Sequence, residues 1–415
     1  MPTERIETVV IGAGQAGLAM SHHLSAHGVE HVVLERGQVA QRWRSERWDS
    51  LCFQSPNWNM NLPGWPRLKA DPLADPDAFS PLHEVTHYIE RYAAAIRAPV
   101  RSACAARSLR RKPGSRALQV YTDDTLYEAQ HVVVATGPYQ VPRPTLALGS
   151  RVFELHSTQY RNPAQLPSGA VLVVGTGNSG VQIAEELCRA QRRVFLSVSS
   201  HERIPRRYRT KDCIWWLIAT GSADATLREW KGARLSRLMT GVEGGHDIDL
   251  RRLAADGVVL VGRLMAAENG RLAIADDLRS SIAHGDESLG AFNRRCDDVA
   301  REKGLDLPPA DPAGETCPDP LQLREPIRSL DLAREGVNSV IWANGALTDF
   351  GWIDLPVFGD ATTPRRMPLH ERGVTSEAGL YFIGLPWLHK WKSAFLFGAD
   401  EDAAHLAAHI ARSAR

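Results

Sequence analysis

The chain lacks any pairing of cysteines. Its six (Cys52, Cys104, Cys188, Cys213, Cys296, Cys317) are scattered over 415 residues with no C-x-x-C. That argues against a disulfide framework and a zinc site, and for free thiols in a reducing compartment. No stretch approaches the ~18 apolar residues of a membrane span. The N-terminus, Met1-Pro-Thr-Glu-Arg-Ile, lacks the apolar core of a signal peptide. A cytoplasmic protein is therefore expected. Neither sign of charge dominates: 49 Lys and Arg face 48 Asp and Glu, a net +1, so no field points to nucleic acid or to an anionic membrane. Low-complexity tracts, metal-spaced His/Asp/Glu clusters, carboxylate pairs and catalytic triads are missing too. What remains is a composition of 43% hydrophobic and 23% charged residues, typical of a globular protein. The length exceeds the ~250–300 residues at which single cores stop growing, which predicts two or three domains.

Two local patterns carry chemistry. Thr8-Val-Val-Ile11 is a β-branched run, Gly12-Ala-Gly-Gln-Ala-Gly17 follows at once, and Leu18, Met20 and Leu24 continue at helical spacing until Gly28. His31-Val-Val-Leu-Glu35 is the next strand. In this G-x-G-x-x-G the first glycine makes the turn, the second admits a pyrophosphate, and the third lets helix and strand pack closely. The helix N-terminus adds unpaired N–H groups and the positive dipole end. Glu35, 18 positions after Gly17, stands where an acid holds a ribose diol. Ala170-Val-Leu-Val-Val174, Gly175-Thr-Gly-Asn-Ser-Gly180 and Val194-Phe-Leu-Ser-Val198 repeat the pattern. Here the second strand ends in Ser199-Ser200 with no acid, and Arg203, Arg206 and Arg207 follow. A missing acid with guanidinium groups nearby suits a 2′-phosphate, hence NADP; a solvated basic loop is the alternative.

The rest is read more coarsely. Trp43, Trp48, Phe53, Trp58 and Trp65, among Pro and Asn, suggest loops packed on something flat or large. A helix is predicted over 81–95, with strands at 118–121, 125–127, 131–134, 257–261, 339–342 and 380–383. Pro138, Pro142 and Pro144 mark a linker. A long polar helix is expected over 276–303, a Pro-rich loop over 308–320, and a closing helix over 395–410. His22 and His23 fall on the first helix as packing residues. Trp215, Trp216, Trp387 and Trp391 are either pocket walls or core.

Several segments carry a family resemblance. Val132-Val-Val-Ala-Thr-Gly-Pro-Tyr139 and Val340-Ile-Trp-Ala-Asn-Gly345 look like the A-T-G segments of two-dinucleotide flavoproteins, with Asn344 in place of the usual Thr. Leu380-Tyr-Phe-Ile-Gly384 and 393–398 are similar to the segment that runs past the flavin. His156-Ser-Thr-Gln-Tyr160-Arg-Asn-Pro163 resembles the signature of group B flavin monooxygenases (flavin-containing, YUCCA-type and Baeyer–Villiger enzymes). Arg47-Trp-Asp-Ser-Leu51 and Pro205-Arg-Arg-Tyr-Arg209 are similar to bacterial members. Ser150 and Val152 stand where the full signature has Phe and Gly.

The resemblance implies an α/β fold of two Rossmann-like units, with an NADP domain (149–332) inserted in a discontinuous FAD domain (1–148 and 333–415). It implies FAD on Gly12, Gly14, Gln15, Ala16, Gly17, Glu35, Arg36, Trp43, Thr136, Gly137 and Gly384. NADPH would lie on Gly175, Gly177, Asn178, Ser179, Gly180, Ser199, Arg206, Arg207, Asn344 and Gly345. The implied reaction is transfer of one oxygen atom from O2 to a small organic substrate through a flavin 4a-hydroperoxide. Asp49 is the candidate acid near the reacting edge and Asn57 the candidate active-site amide; His156 is implied to position domains. No metal is expected. The expected partners are substrate and O2, neither nucleic acid nor membrane, and a homodimer is left open. Two alternatives stay open: a flavin reductase that inserts no oxygen, and a non-enzymatic cofactor-binding sensor.

Overall fold

The computed structural model describes residues 1–71, 74–149, 152–230, 237–310, 317–359 and 367–413. Strand β1 (Thr3–Ile11) feeds helix α1 (Gln15–Ala26) and strand β2 (His31–Leu34), and lies parallel to β2 on one side and to β3 (Leu126–Val134) on the other. The sheet continues through antiparallel Leu118–Tyr121 and Ser108–Arg111 on one flank and Val100–Arg101 on the other. Val9, Val10, Val33, Val132 and Val133 are fully buried, as expected of β-branched strands covered on both faces. Residues 125–127 and 131–134 are one nine-residue strand, not two. Pairing with β1 keeps one register from Thr3–Leu126 to Ile11–Val134.

The second sheet is wholly parallel. Its β4 (Ala170–Val174), α2 (Asn178–Arg189) and β5 (Val194–Ser197) repeat the first unit, and β6 (Val337–Trp342) lies beside β4 in the order Phe153–His156, β6, β4, β5, Val259–Val261. This corrects the boundary at 333: β6 is central to the second sheet, and the chain leaves that sheet only after Trp342. It then returns to the first sheet, where β7 (Leu380–Phe382) pairs with β3 and α3 (Ala399–Ser413) packs on α1. The closing helix starts at Ala399, not at Phe395, because two short 3-10 turns precede it, Trp391–Ala394 and Leu396–Gly398. Asp400, Glu401 and Asp402 fill its first turn, which suits the positive dipole end. Helices at 82–95 and 278–302 agree with the sequence. Ser150 and residues 311–316 of the Pro-rich loop lie outside the described residues.

Several histidines are buried. On β3, His131 is 6% exposed, neither ring nitrogen has a partner, and burial holds its pKa below 6.5. Burial lowers His201 likewise. The unfolded chain therefore binds protons that the folded chain refuses, so stability is full above the ordinary histidine pKa and falls as pH drops through it. Thermal unfolding followed across pH should show a flat Tm above about pH 7 and a decline below about 6.5. His131→Leu should flatten part of that decline; an unchanged slope contradicts the assignment.

Candidate functional site

Ile11 lies beside Leu34 and Val134, so the residues after β1, β2 and β3 share one sheet edge. Gly12 turns there with φ +112°, and a Cβ on it would lie 2.6 Å from the Ala135 carbonyl oxygen. Gly17 touches back: its Cβ would lie 1.9 Å from the Gly12 oxygen, a contact only glycine permits. Glu35, 7% exposed, closes the turn by accepting the Ala13 N–H (2.9 Å) and the Gly37 N–H (2.9 Å). The indole N–H of Trp43 donates to Gln15 Oε1 (3.2 Å). Gln140 Nε2 donates to Thr136 Oγ1 and the Gly137 oxygen (3.0 and 2.7 Å). Gly384 enters because a Cβ there would meet Ala16 Cβ at 2.7 Å. Arg36 pairs with Glu46 at the rim (3.2 Å). These residues gather at one sheet edge, at the N-terminus of α1.

The second unit repeats the geometry closely. Gly175 has φ +118° with its virtual Cβ 2.5 Å from the Ala343 oxygen, and Gly180 meets the Gly175 oxygen at 1.9 Å. Gly177 caps α2, and Asn178 and Ser179 form its first turn. Thr176 Oγ1 donates to the Ser199 oxygen (2.9 Å) and accepts the Ser199 N–H (3.0 Å), tying turn to strand end. Asn344 donates to the Pro144 oxygen (3.2 Å), while its own buried Oδ1 has no partner. Arg206 is 3% exposed and bonded to Asp212 through Nε (3.0 Å) and Nη2 (2.5 Å), and its Nη1 donates to the oxygens of Gln54 and Thr240. Four of its five N–H groups are thereby used, which leaves one N–H for any further acceptor. Arg203 is held by Asp249 and Asp286 (2.8 and 3.3 Å). Arg207 lies at the surface on the oxygens of Gly245 and Gly244 (3.2 and 3.0 Å).

Both proposed catalytic side chains are engaged in hydrogen bonds to neighbouring loops. Asp49 is exposed and accepts from Asn162 Nδ2 (2.6 Å), with no arginine partner among the described residues. Asn57 is 4% exposed; its Nδ2 donates to the Asp75 oxygen and its Oδ1 accepts from Ser80 Oγ (both 2.8 Å), stapling two loops. Trp216 is core, fully buried beside Trp215, whereas Trp387 and Trp391 remain half-exposed.

The connector around His156 bonds to both halves. His156 Nε2 meets the Gly345 oxygen (3.1 Å), and burial lowers its pKa. Tyr160 OH donates to Glu186 of α2 (2.7 Å), which also accepts from Ser50 Oγ (2.7 Å). Arg161 donates to the oxygens of Ser45 and Arg47. A direct bridge joins the glycine turns' surroundings: Asn178 Nδ2 donates to Gln54 Oε1 (3.2 Å). Sequence reasoning singled out the segments of Tyr160, Arg161 and Arg47 by resemblance but did not anticipate these contacts, nor that of Gln54. The Arg47 guanidinium lies 5.5 Å from the Trp43 ring and, among the described residues, donates only to the Glu46 oxygen (2.7 Å); burial lowers its pKa. Glu46, which acts on it at longer range, is engaged by Arg36 and Arg42. Asn59 adds a buried Nδ2 with no partner. A desolvated cation against the ring that Gln15 fixes, next to the first glycine turn, fits an anionic dinucleotide. Among the described residues no group of three or more His, Cys, Asp or Glu stands at metal-binding distance. No helix there is long and apolar enough to cross a membrane.

Residues 9–219 match the family of pyridine nucleotide-disulphide oxidoreductases. An uncharacterized CzcO-like oxidoreductase of Geobacillus kaustophilus is 31% identical over 97% of each chain. The rice indole-3-pyruvate monooxygenase YUCCA4 is 27% identical over 71% of this chain and 73% of its own. A flavin-containing monooxygenase from Stenotrophomonas maltophilia shares the fold over 100% of both chains, with a TM-score of 0.67 at 19% identity.

Gly14 separates ligand space from packing space. No atom lies within 4 Å of a Cβ built on it, and its φ of −84° suits any residue. Gly14→Ala should leave the ligand-free fold within about 1 kcal/mol, the size of a cap effect. It should weaken FAD retention, read as flavin absorbance per protein, by on the order of 10-fold or more. Undiminished FAD retention contradicts a pyrophosphate at this turn.

Proposed function

The chain belongs to the pyridine nucleotide-disulphide oxidoreductase family, on its flavin monooxygenase side, and on that premise we propose that it is an FAD- and NADPH-dependent monooxygenase that inserts one oxygen atom from O2 into a small organic substrate. It is a flavin-dependent oxidoreductase. The observation that carries the oxygenase reading is the pair of like glycine cradles, with Asn178 of the second bonded to Gln54 in the loop after the first unit, and no dithiol between them among the described residues. Cys52 is the only cysteine in the first hundred residues. It is free, and burial pushes its thiol pKa up. A lone protonated thiol does not support disulfide exchange.

FAD, when bound, supplies the two-electron chemistry and the reaction with O2 that no side chain supplies. The turn Gly12–Gly17 would hold its pyrophosphate and Glu35 its ribose. Trp43 is fixed by Gln15, and Arg47 offers a desolvated positive charge. Gly175 to Gly180 would hold the nicotinamide nucleotide. NADPH is preferred because no acid follows β5; with Arg206 committed to Asp212, Arg207 is the remaining arginine proposed for the 2′-phosphate. The connector excludes water between the halves by filling the junction with paired polar groups.

The test is incubation with NADPH under oxygen-18 gas against a panel of amines, thioethers, ketones and aromatic acids. The reading predicts a product carrying one labelled oxygen, with about one NADPH consumed per product, since two electrons accompany each oxygen inserted. NADPH oxidation with stoichiometric hydrogen peroxide and no labelled product contradicts it and supports a reductase.

A further inference from the structure

His83 and His87, four residues apart on one helix, carry exposed imidazoles that the fold leaves unused. The helix Leu82–Ala95 packs its apolar face, Val85, Tyr88, Ile89 and Tyr92, against Leu18, Met60 and Leu62 of the first unit. The two histidines point away from that face, and both are exposed. Among the described residues neither ring has a hydrogen-bond, ion-pair or aromatic partner. Two other helical pairs share the spacing, His23 with His27 and His405 with His409. In those, His23 is held by Asp400 (2.6 Å) and His409 by the Tyr381 hydroxyl (3.3 Å). The free pair belongs to His83-Glu84-Val85-Thr86-His87, an H-E-x-x-H run, which on a helix turns two imidazoles to one side where they can share a metal ion. Residues at i and i+4 have Cβ atoms ~5–6 Å apart, a gap that two imidazole–metal bonds of ~2.0–2.1 Å can close. Sequence reasoning read this helix by its apolar face and expected no metal.

Both rings line a cavity of about 220 Å³, which the helix shares with Arg67 and Asp71. The charges on its wall balance, Arg67 and Arg91 against Asp71 and Glu84, so no net field opposes a cation. Arg67, 8% exposed, is bonded to both Asp71 (3.0 Å) and Glu84 (2.9 Å), and Glu84 also accepts from Ser80 Oγ (3.0 Å). Those bonds occupy Glu84, the residue that in an H-E-x-x-H hydrolase acts as base on metal-bound water. No third His, Cys, Asp or Glu joins the pair at metal-binding distance among the described residues. The arrangement is therefore neither a hydrolytic centre nor a closed structural zinc site, both of which take three or four protein ligands. We propose that His83 and His87 bind one late first-row divalent metal ion, of the nickel or copper kind, through both imidazoles, with water in the remaining positions. Imidazole suits these ions, and affinity for nitrogen ligands rises along the series toward copper. The site lies apart from both glycine cradles and does not depend on the oxygenase reading.

The test titrates untagged, FAD-loaded protein with Ni2+ by calorimetry in a buffer free of chelators. Wild type should bind a single Ni2+ per chain at the tightest site. His83→Ala and His87→Ala should each weaken that site by at least about 10-fold, the scale of even an outer-shell loss at a metal centre. His405→Ala, in the pair on α3, should leave it unchanged. Because both rings are exposed and unpartnered, the two variants should keep wild-type flavin absorbance per protein and wild-type Tm, so a lost site is not a lost fold. A second measurement reads the ligands directly: Cu2+ at one equivalent should give an electron paramagnetic resonance spectrum with nitrogen coupling from two imidazoles, reduced to one in either variant. Absence of saturable Ni2+ binding overturns the proposal. So does an affinity equal in wild type and the His83→Ala/His87→Ala double variant, or one that falls with His405→Ala instead, since the metal is then spread over surface histidines.

Discussion

A short connector within the second unit, His156 to Asn162, bonds to both units and sets how the two glycine cradles face each other. The chain crosses between the sheets twice, and the crossings run side by side, with Val141–Pro142 antiparallel to Ala346–Leu347. His156 bonds to the return crossing at Gly345, Tyr160 to α2 through Glu186, and Arg161 to the loop carbonyls at 45 and 47. Each of these groups is buried or half-buried, and a polar group in such a place loses more by being unpaired than it gains by pairing. The connector therefore has one favourable arrangement, and the relative position of the cradles follows from it. Exposed Asp49, bonded to Asn162, belongs to the same strap.

The two cradles were legible because their information is local. Glycine spacing, the strand before it and the helix after it occupy fewer than forty consecutive residues, and the contacts of Gly12 with Gly17 recur in Gly175 with Gly180. The missing acid after β5 was legible for the same reason. The partners of the arginines were not. Arg206 is claimed by Asp212 across a tight hairpin, and nothing in the run Pro205–Arg209 distinguishes a buried ion pair from a phosphate site. Asn57 reads as a free amide until the loop at 75–80 folds over it. The boundary at 333 failed because β6 follows long irregular chain yet inserts beside β4, a pairing between distant residues. The closing helix began late because the sequence 391–398 is apolar enough to resemble a helix while its backbone turns in 3-10 form.

Net charge conceals how unevenly the cations are matched. Most arginines in the second unit meet carboxylates, as Arg203 and Arg206 do. Arg47 meets none among the described residues, and it lies beside the first cradle. An unmatched cation in a desolvated corner is poor for stability and well suited to an anionic ligand, so a place where the fold is poorly satisfied coincides with a place where a ligand is proposed.

The central claim is that the connector aligns the cofactors and does little else. Anaerobic stopped-flow reduction of bound FAD by NADPH in Arg161→Ala and Tyr160→Phe tests it most directly. Both variants should retain FAD and bind NADPH, yet reduce FAD more slowly, by on the order of 100-fold for Arg161→Ala, the scale of a misalignment near 1 Å. Wild-type reduction rates in both variants, with FAD and NADPH bound as before, would contradict the account.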